Sequence, residues 1–155
     1  HECILDFRDL KSKTGLSVND LAKRLIDYSF HAPTISWPVT ETIMIEPTES
    51  ESLAELDRFC EAMQLIGEEI SEIENNIELN NNNVISNAPH TLKELIADNW
   101  NYPYSKEKAS FPYKTQTAIK FWSSVSRINN AFGDRNLICS CNVNQADTLE
   151  EKKCA

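Results

Sequence analysis

Apolar residues recur at steps of three and four between positions 53 and 73, as Leu53, Leu56, Phe59, Cys60, Met63, Ile66, Ile70 and Ile73. That period puts them on one face and predicts an amphipathic helix of about six turns. Just before it, Thr48 and Glu51 match the capping box, in which each side chain satisfies the other residue's backbone N–H. Glu49 adds a further carboxylate at the positive end of the helix. Thr48, Glu49 and Glu51 are thereby assigned to the helix start ahead of any catalytic role. Val18, Leu21, Ala22, Leu25 and Ile26 form a second amphipathic period, with Ser17 as its cap and Asp20 in its first turn. Gly15 is placed to end a polar turn or short helix over 9–14 in the left-handed conformation. Thr91 and Glu94 repeat the capping box before Leu92, Leu95 and Ile96, and 105–109 reads as a helical turn.

Strand-like runs are short. Residues 2–7 and 42–45 read as strands that pair with each other, and 136–139 reads as a last strand. Phe121, Trp122, Val125 and Ile128 predict another buried patch. Between helix and strand lies Phe30-His31-Ala32-Pro33-Thr34-Ile35-Ser36-Trp37-Pro38-Val39, a loop stiffened by two prolines, each of which pushes its predecessor into extended geometry. Asparagines at 75–76 and 80–83 favour turns over regular structure, so a flexible excursion is expected over about 75–87. The polar tail 142–155 reads as mobile.

With 155 residues the chain has room for one domain with a real core. It begins with His1, already inside a strand-like pattern, and reads as a piece of something longer. A formal charge of −9 argues against nucleic acid or an anionic membrane as partner. No apolar run is long enough to cross a bilayer. Five cysteines without regular spacing fit a reducing compartment better than a disulfide framework. Three glycines cannot build a glycine-rich phosphate loop, so most of any phosphate cradle must lie elsewhere.

His31 is the foremost titratable candidate. In an ordered loop it either moves a proton near neutral pH or tethers the loop to a backbone group. Thr34 and Ser36 either donate to a phosphate or carboxylate, or cap a turn. Cys139 and Cys141 form a C-x-C pair, a possible redox couple of thiols or two ordinary free cysteines. A zinc site needs two more ligands at suitable spacing, and His1, His31 and His90 do not supply them, so no metal is expected.

The segments FHAPTISWPV and IEPTESE, with HECILDFR, AKRLIDY, AELDRFCEAM, NAPHT, PYSKEKASFP, KFW and GDRNLICSC, resemble in collinear order the C-terminal region of the glycine decarboxylase P-protein family. The resemblance covers nearly the whole chain apart from the asparagine-rich stretch and the tail. It implies an α/β chain, more closely a small α+β domain with a short, mostly antiparallel sheet and covering helices, over residues 1–141. That domain is the C-terminal part of a type I pyridoxal-phosphate-dependent transferase fold. It further implies glycine decarboxylation on pyridoxal 5'-phosphate and transfer of the aminomethyl group to the lipoyl arm of H-protein. The implied partners are the upstream part of the P-protein, a second P-protein subunit and lipoylated H-protein. The implied compartment is bacterial cytoplasm or mitochondrial matrix. His31, Pro33, Thr34 and Ser36 fall in the matching loop on the side of substrate and cofactor.

The lysine that binds the cofactor lies upstream in the family. None of Lys11, Lys13, Lys23, Lys93, Lys106, Lys108, Lys114, Lys120, Lys152 or Lys153 sits in a sequence context expected to depress its pKa. The chain alone is therefore expected to be inactive and to complete a site built elsewhere. The alternative is a split or degenerate module kept for dimer contact or H-protein docking. The family usually has glycine where this chain has Ser29, and Ala-Gly where it has Thr40-Glu41.

Overall fold

The computed structural model describes residues 1–76, 81–113 and 120–138. Three antiparallel strands, β1 (Cys3–Asp6), β2 (Thr34–Ile35) and β3 (Thr42–Ile45), form one sheet in the order β1-β3-β2. The register sets Leu5 and Ile35 on either side of Ile43, so the three share one face, and Ile43 is fully buried there. The expected pairing of the first strand with 42–45 is present. β2 lies inside the segment read as loop, because two residues are too few for alternation to register.

Among the described residues, helix α1 (Leu10–Thr14) closes at Gly15, whose φ of 75° is the left-handed geometry expected of it. Helix α2 (Val18–Asp27) begins where the Asp20 carboxylate accepts from the Ser17 N–H and hydroxyl at 2.8 and 2.7 Å. Helix α3 (Leu53–Asn75) has the expected length of 23 residues but a different cap. Its N-cap is Ser52, whose hydroxyl accepts the Glu55 N–H, while Thr48, Glu49 and Glu51 lie in the turn before it. Thr48 bonds the Ser50 hydroxyl at 2.7 Å and its carbonyl accepts the Glu51 N–H at 3.2 Å. Two S/T-x-x-E patterns compete here, and the later one prevails because Arg58, paired with Glu55, also donates to the Tyr28 carbonyl and registers the helix against the end of α2.

From Phe59 onward α3 follows the expected stripe, burying Ala62, Ile66 and Ile73 against Leu21, Leu25, Tyr28 and Ile43. Its first turns overrun the core, leaving Leu53 73% exposed and Cys60 in solvent. Helix α4 (Leu92–Ile96) uses the Thr91–Glu94 box in both directions, and α5 (Lys106–Ser110) is capped by Ser105.

Three expectations are corrected. Asn130–Arg135 is a helix, α6, capped by the Asn129 side chain accepting the Phe132 N–H; Asn136 closes it, and no strand follows over 136–138. The flexible excursion does not reach 83–87. Asn83 is buried there, and its side-chain oxygen accepts the N–H groups of Ile85 and Ser86 at 3.0 and 2.8 Å, which folds Val84 and Ile85 into the core. Phe121, Val125 and Ile128 are not a buried patch but face outward, since the same stretch turns its polar groups inward. Residues 77–80, Cys139, Cys141 and the tail 142–155 lie outside the described residues.

Candidate functional site

The 30–41 loop is built from two anchored ends and an exposed middle. Its entry is fixed by α3: the Arg58 guanidinium lies 3.7 Å over the Phe30 ring, and Phe30 meets Phe59 edge-on at 5.2 Å. The Ser29 backbone just before it is left-handed, φ 64°, with its hydroxyl accepting the Phe121 N–H at 3.0 Å. At the far end Glu41 is also left-handed, φ 56°, and its carboxylate accepts the Val18 N–H at the start of α2. These are the positions where the resemblance places glycine, a residue that adopts this geometry without steric cost. Here serine and glutamate hold the left-handed geometry, each with a side-chain bond to a backbone N–H.

In the middle, His31 is exposed and makes no hydrogen bond among the described residues. Pro33 is half-buried; Thr34 is exposed on β2, opposite Met44. Ser36, φ 53°, accepts the Glu41 N–H at 3.2 Å and donates its own N–H to the Thr42 carbonyl at 2.8 Å. It therefore serves as a turn cap. The Trp37–Pro38 bond is cis and Trp37 stands in solvent. His31, Thr34 and Ser36 share this hairpin, but none of them lines any of three open clefts of roughly 570, 750 and 440 Å³. Ser36 is already committed, and no donor cradle closes around the loop. The described residues therefore do not by themselves fit a pyridoxal phosphate site.

A second constellation is buried, and the hydrophobic pattern does not announce it. Arg24 on α2 is wholly enclosed. Its guanidinium donates to both Glu69 oxygens at 3.0 and 2.6 Å, to Asp27 at 2.9 Å, and to the carbonyls of Ala109 and Lys108 at 2.7 and 2.8 Å. Burial pulls its pKa down, but the two carboxylates more than offset this, and the net shift is upward. Asp27 also accepts the His90 N–H at 2.8 Å and pairs with His90 Nδ1 at 2.8 Å, while His90 Nε2 meets the Tyr104 hydroxyl at 2.9 Å. With the Asp27 carboxylate accepting from Nδ1–H, Nε2 is left to accept from the Tyr104 hydroxyl. Burial pushes the Tyr28 and Tyr104 hydroxyls upward in pKa. Lys120 completes the cluster, its amine donating to the Asp27 carbonyl.

Burial, only partly opposed by Asp27 and reinforced by Arg24, lowers that amine to about 8. This corrects the expectation that no lysine here has a depressed pKa: the cause is burial, which the fold imposes by packing the amine against residues 93 positions earlier in sequence. None of the three clefts reaches this cluster, so its role is to lock α2, α3, α5 and the 87–91 segment together. The available sequence signals were two charged residues bordering the apolar face of an amphipathic helix, Arg24 and Asp27, and a histidine followed by Trp100, Tyr102 and Tyr104.

Comparison with known proteins adds a family. Residues 1–90 match the family described as glycine dehydrogenase, C-terminal domain. Glycine dehydrogenase (decarboxylating) of Prochlorococcus marinus strain NATL1A is 62% identical over 141 residues, 91% of this chain and 15% of that protein. The namesake from another Prochlorococcus marinus strain is 58% identical over 151 residues, 97% of this chain and 15% of its own length. The mitochondrial glycine dehydrogenase (decarboxylating) of Dictyostelium discoideum is 57% identical over 141 residues, 91% of this chain and 14% of that protein. The chain thus spans about 15% of the length of these relatives.

Proposed function

The chain belongs to the glycine dehydrogenase C-terminal domain family, and from that membership we propose that it is the C-terminal portion of a glycine dehydrogenase (decarboxylating). The observation that carries the reading is identity spread over 91% of this chain, which includes the 30–39 loop. The small sheet with its covering helices is consistent with the accessory domain of a type I pyridoxal-phosphate transferase fold. In this reading glycine loses its carboxylate as carbon dioxide and the aminomethyl group passes to the lipoyl arm of H-protein.

In this reading pyridoxal phosphate and its lysine belong to the remainder of the enzyme, as the resemblance to the family implies, and this chain supplies a wall. His31 and Thr34 are the groups of that wall free to bond substrate, since Ser36 is held by Glu41. Ser29 and Glu41 keep left-handed backbone, which supports a loop shaped as in the family despite the lost glycines.

The test is complementation. This chain is combined with the preceding part of the Prochlorococcus enzyme, and glycine-dependent carbon dioxide exchange is measured. Restored exchange, reduced at least about tenfold by His31→Ala or Thr34→Val, is the expected result, the size being that of a general acid–base or positioning contact. Association without exchange would point instead to a module kept for contact between chains. Exchange by the chain alone would refute the view that the reactive centre lies elsewhere.

A further inference from the structure

Residues 120–128 form a strap with reversed polarity. Its inward contacts are polar: the Lys120 amine on the Asp27 carbonyl, the Phe121 N–H on the Ser29 hydroxyl, a bridge from Ser123 to Thr91, and Arg127 on the Ala88 carbonyl and Asp20. Of its apolar side chains, Trp122 is half-buried and meets the Phe111 ring edge-on at 5.8 Å, whereas Phe121, Val125 and Ile128 are each more than half exposed. Water penalises that arrangement, and a stretch built this way is expected to be covered on its outer side. Between the strap and α4 runs an open groove of roughly 440 Å³, lined by Ala97, Val125 and Ile128 and by the polar Lys93, Ser124 and Ser126, with Ile96 exposed beside it. Glu94, the carboxylate in the groove, is committed to the Thr91 cap and the Tyr102 hydroxyl. Lys93 is in no ion pair among the described residues, so the groove presents an ammonium group without an ion-pair partner beside a strip formed by Ala97, Val125 and Ile128.

We propose that this groove is the seat of the polypeptide that precedes the matched segment in glycine dehydrogenase, through an apolar ridge carrying a carboxylate opposite Lys93. The inference rests on the reading above. The matched family is a C-terminal domain, and about 85% of the relatives' length lies outside the aligned part, so the occupant is tethered to this chain at high effective concentration. A second copy of this chain fits less well. A two-fold contact sets the same patch against itself and brings two Lys93 ammonium groups into one small groove.

The experiment mixes the 155-residue chain with the preceding part of the P. marinus NATL1A enzyme. It reads affinity by titration, amide exchange over 92–97 and 121–128, and carbon dioxide exchange. Val125→Ser with Ile128→Ser, both at exposed positions, and separately Lys93→Glu, are each expected to weaken association at least tenfold. Leu53→Ser, on a distant exposed turn, is expected to leave it unchanged, and the strap and α4 amides should gain protection in the complex. Unaltered affinity in both groove variants with activity restored would overturn the groove while leaving the functional reading intact. A dimer of the free chain that the double variant dissociates would assign the face to a second copy. Neither association nor activity would overturn the glycine dehydrogenase reading, and the groove with it.

Discussion

Every N–H of the Arg24 guanidinium has an acceptor, which makes this side chain the most constrained in the molecule. Arg24→Met leaves Asp27 and Glu69 buried without their cation. The expected loss is about 3–5 kcal/mol of stability, read from urea unfolding. No spacing in the sequence announces this pair, because Arg24 and Glu69 are 45 positions apart and each lies in a helix whose period speaks only of apolar residues. Gly15 was legible because a glycine after a short polar helix has one common use. Ser29 and Glu41 carry no such mark beyond their departure from the family pattern. Ser29→Gly removes a left-handed cost of about 1–2 kcal/mol and a hydrogen bond to Phe121 of about 0.5–1.5 kcal/mol. The expected outcome is a gain of a few tenths of a kcal/mol with faster exchange of the Phe121 amide, seen by NMR.

At the scale of elements, α3 shows what periodicity can and cannot say. Its existence and length follow from the three-and-four pattern, but the pattern continues for two turns past the point where core is available. Ile66→Ala is therefore expected to cost about 2–5 kcal/mol, whereas Leu53→Ala, at a 73% exposed position, should stay within about 0.5 kcal/mol. Denaturant midpoints of the two variants decide the matter. The strap over 120–128 defeats a sequence reading for a related reason. Apolar residues there imply a covered face, but without a regular period nothing in the sequence tells which side the domain itself occupies. The His31 loop is located by its prolines, although the short strand inside it and the idle state of His31 depend on packing against α3 and β3.

For the whole molecule, the buried cluster ties stability to alkaline pH in two opposed ways. The Lys120 amine is lowered to about 8 in the folded chain, so between that pH and its ordinary value near 10.5 the unfolded chain binds the extra proton. Stability rises through that window. Tyr28, Tyr104 and Tyr113 are shifted the other way by burial, Tyr113 to about 12, so above their ordinary value near 10 the unfolded chain loses protons that the folded one keeps. Stability then falls. Urea midpoints measured from about pH 7 to 11 should pass through a maximum near pH 10, and Lys120→Met should flatten the rising limb alone. Such coupling was invisible in the chain as written, since it joins α2 to a residue 93 positions later. The family and the small antiparallel sheet were legible; the cluster that holds the sheet's helices together was not.

The asparagine run ends on the residues that matter structurally. Asn83 closes the turn into the core and Asn82 accepts from the Asn87 side chain at 2.8 Å. A run of one residue type can gain or lose members without changing the identity of its last two. Here such a change leaves the last two asparagines chemically unchanged and in the same place relative to Val84. The anchor is thus specified by residue type and by distance from Val84 rather than by the number of asparagines before it.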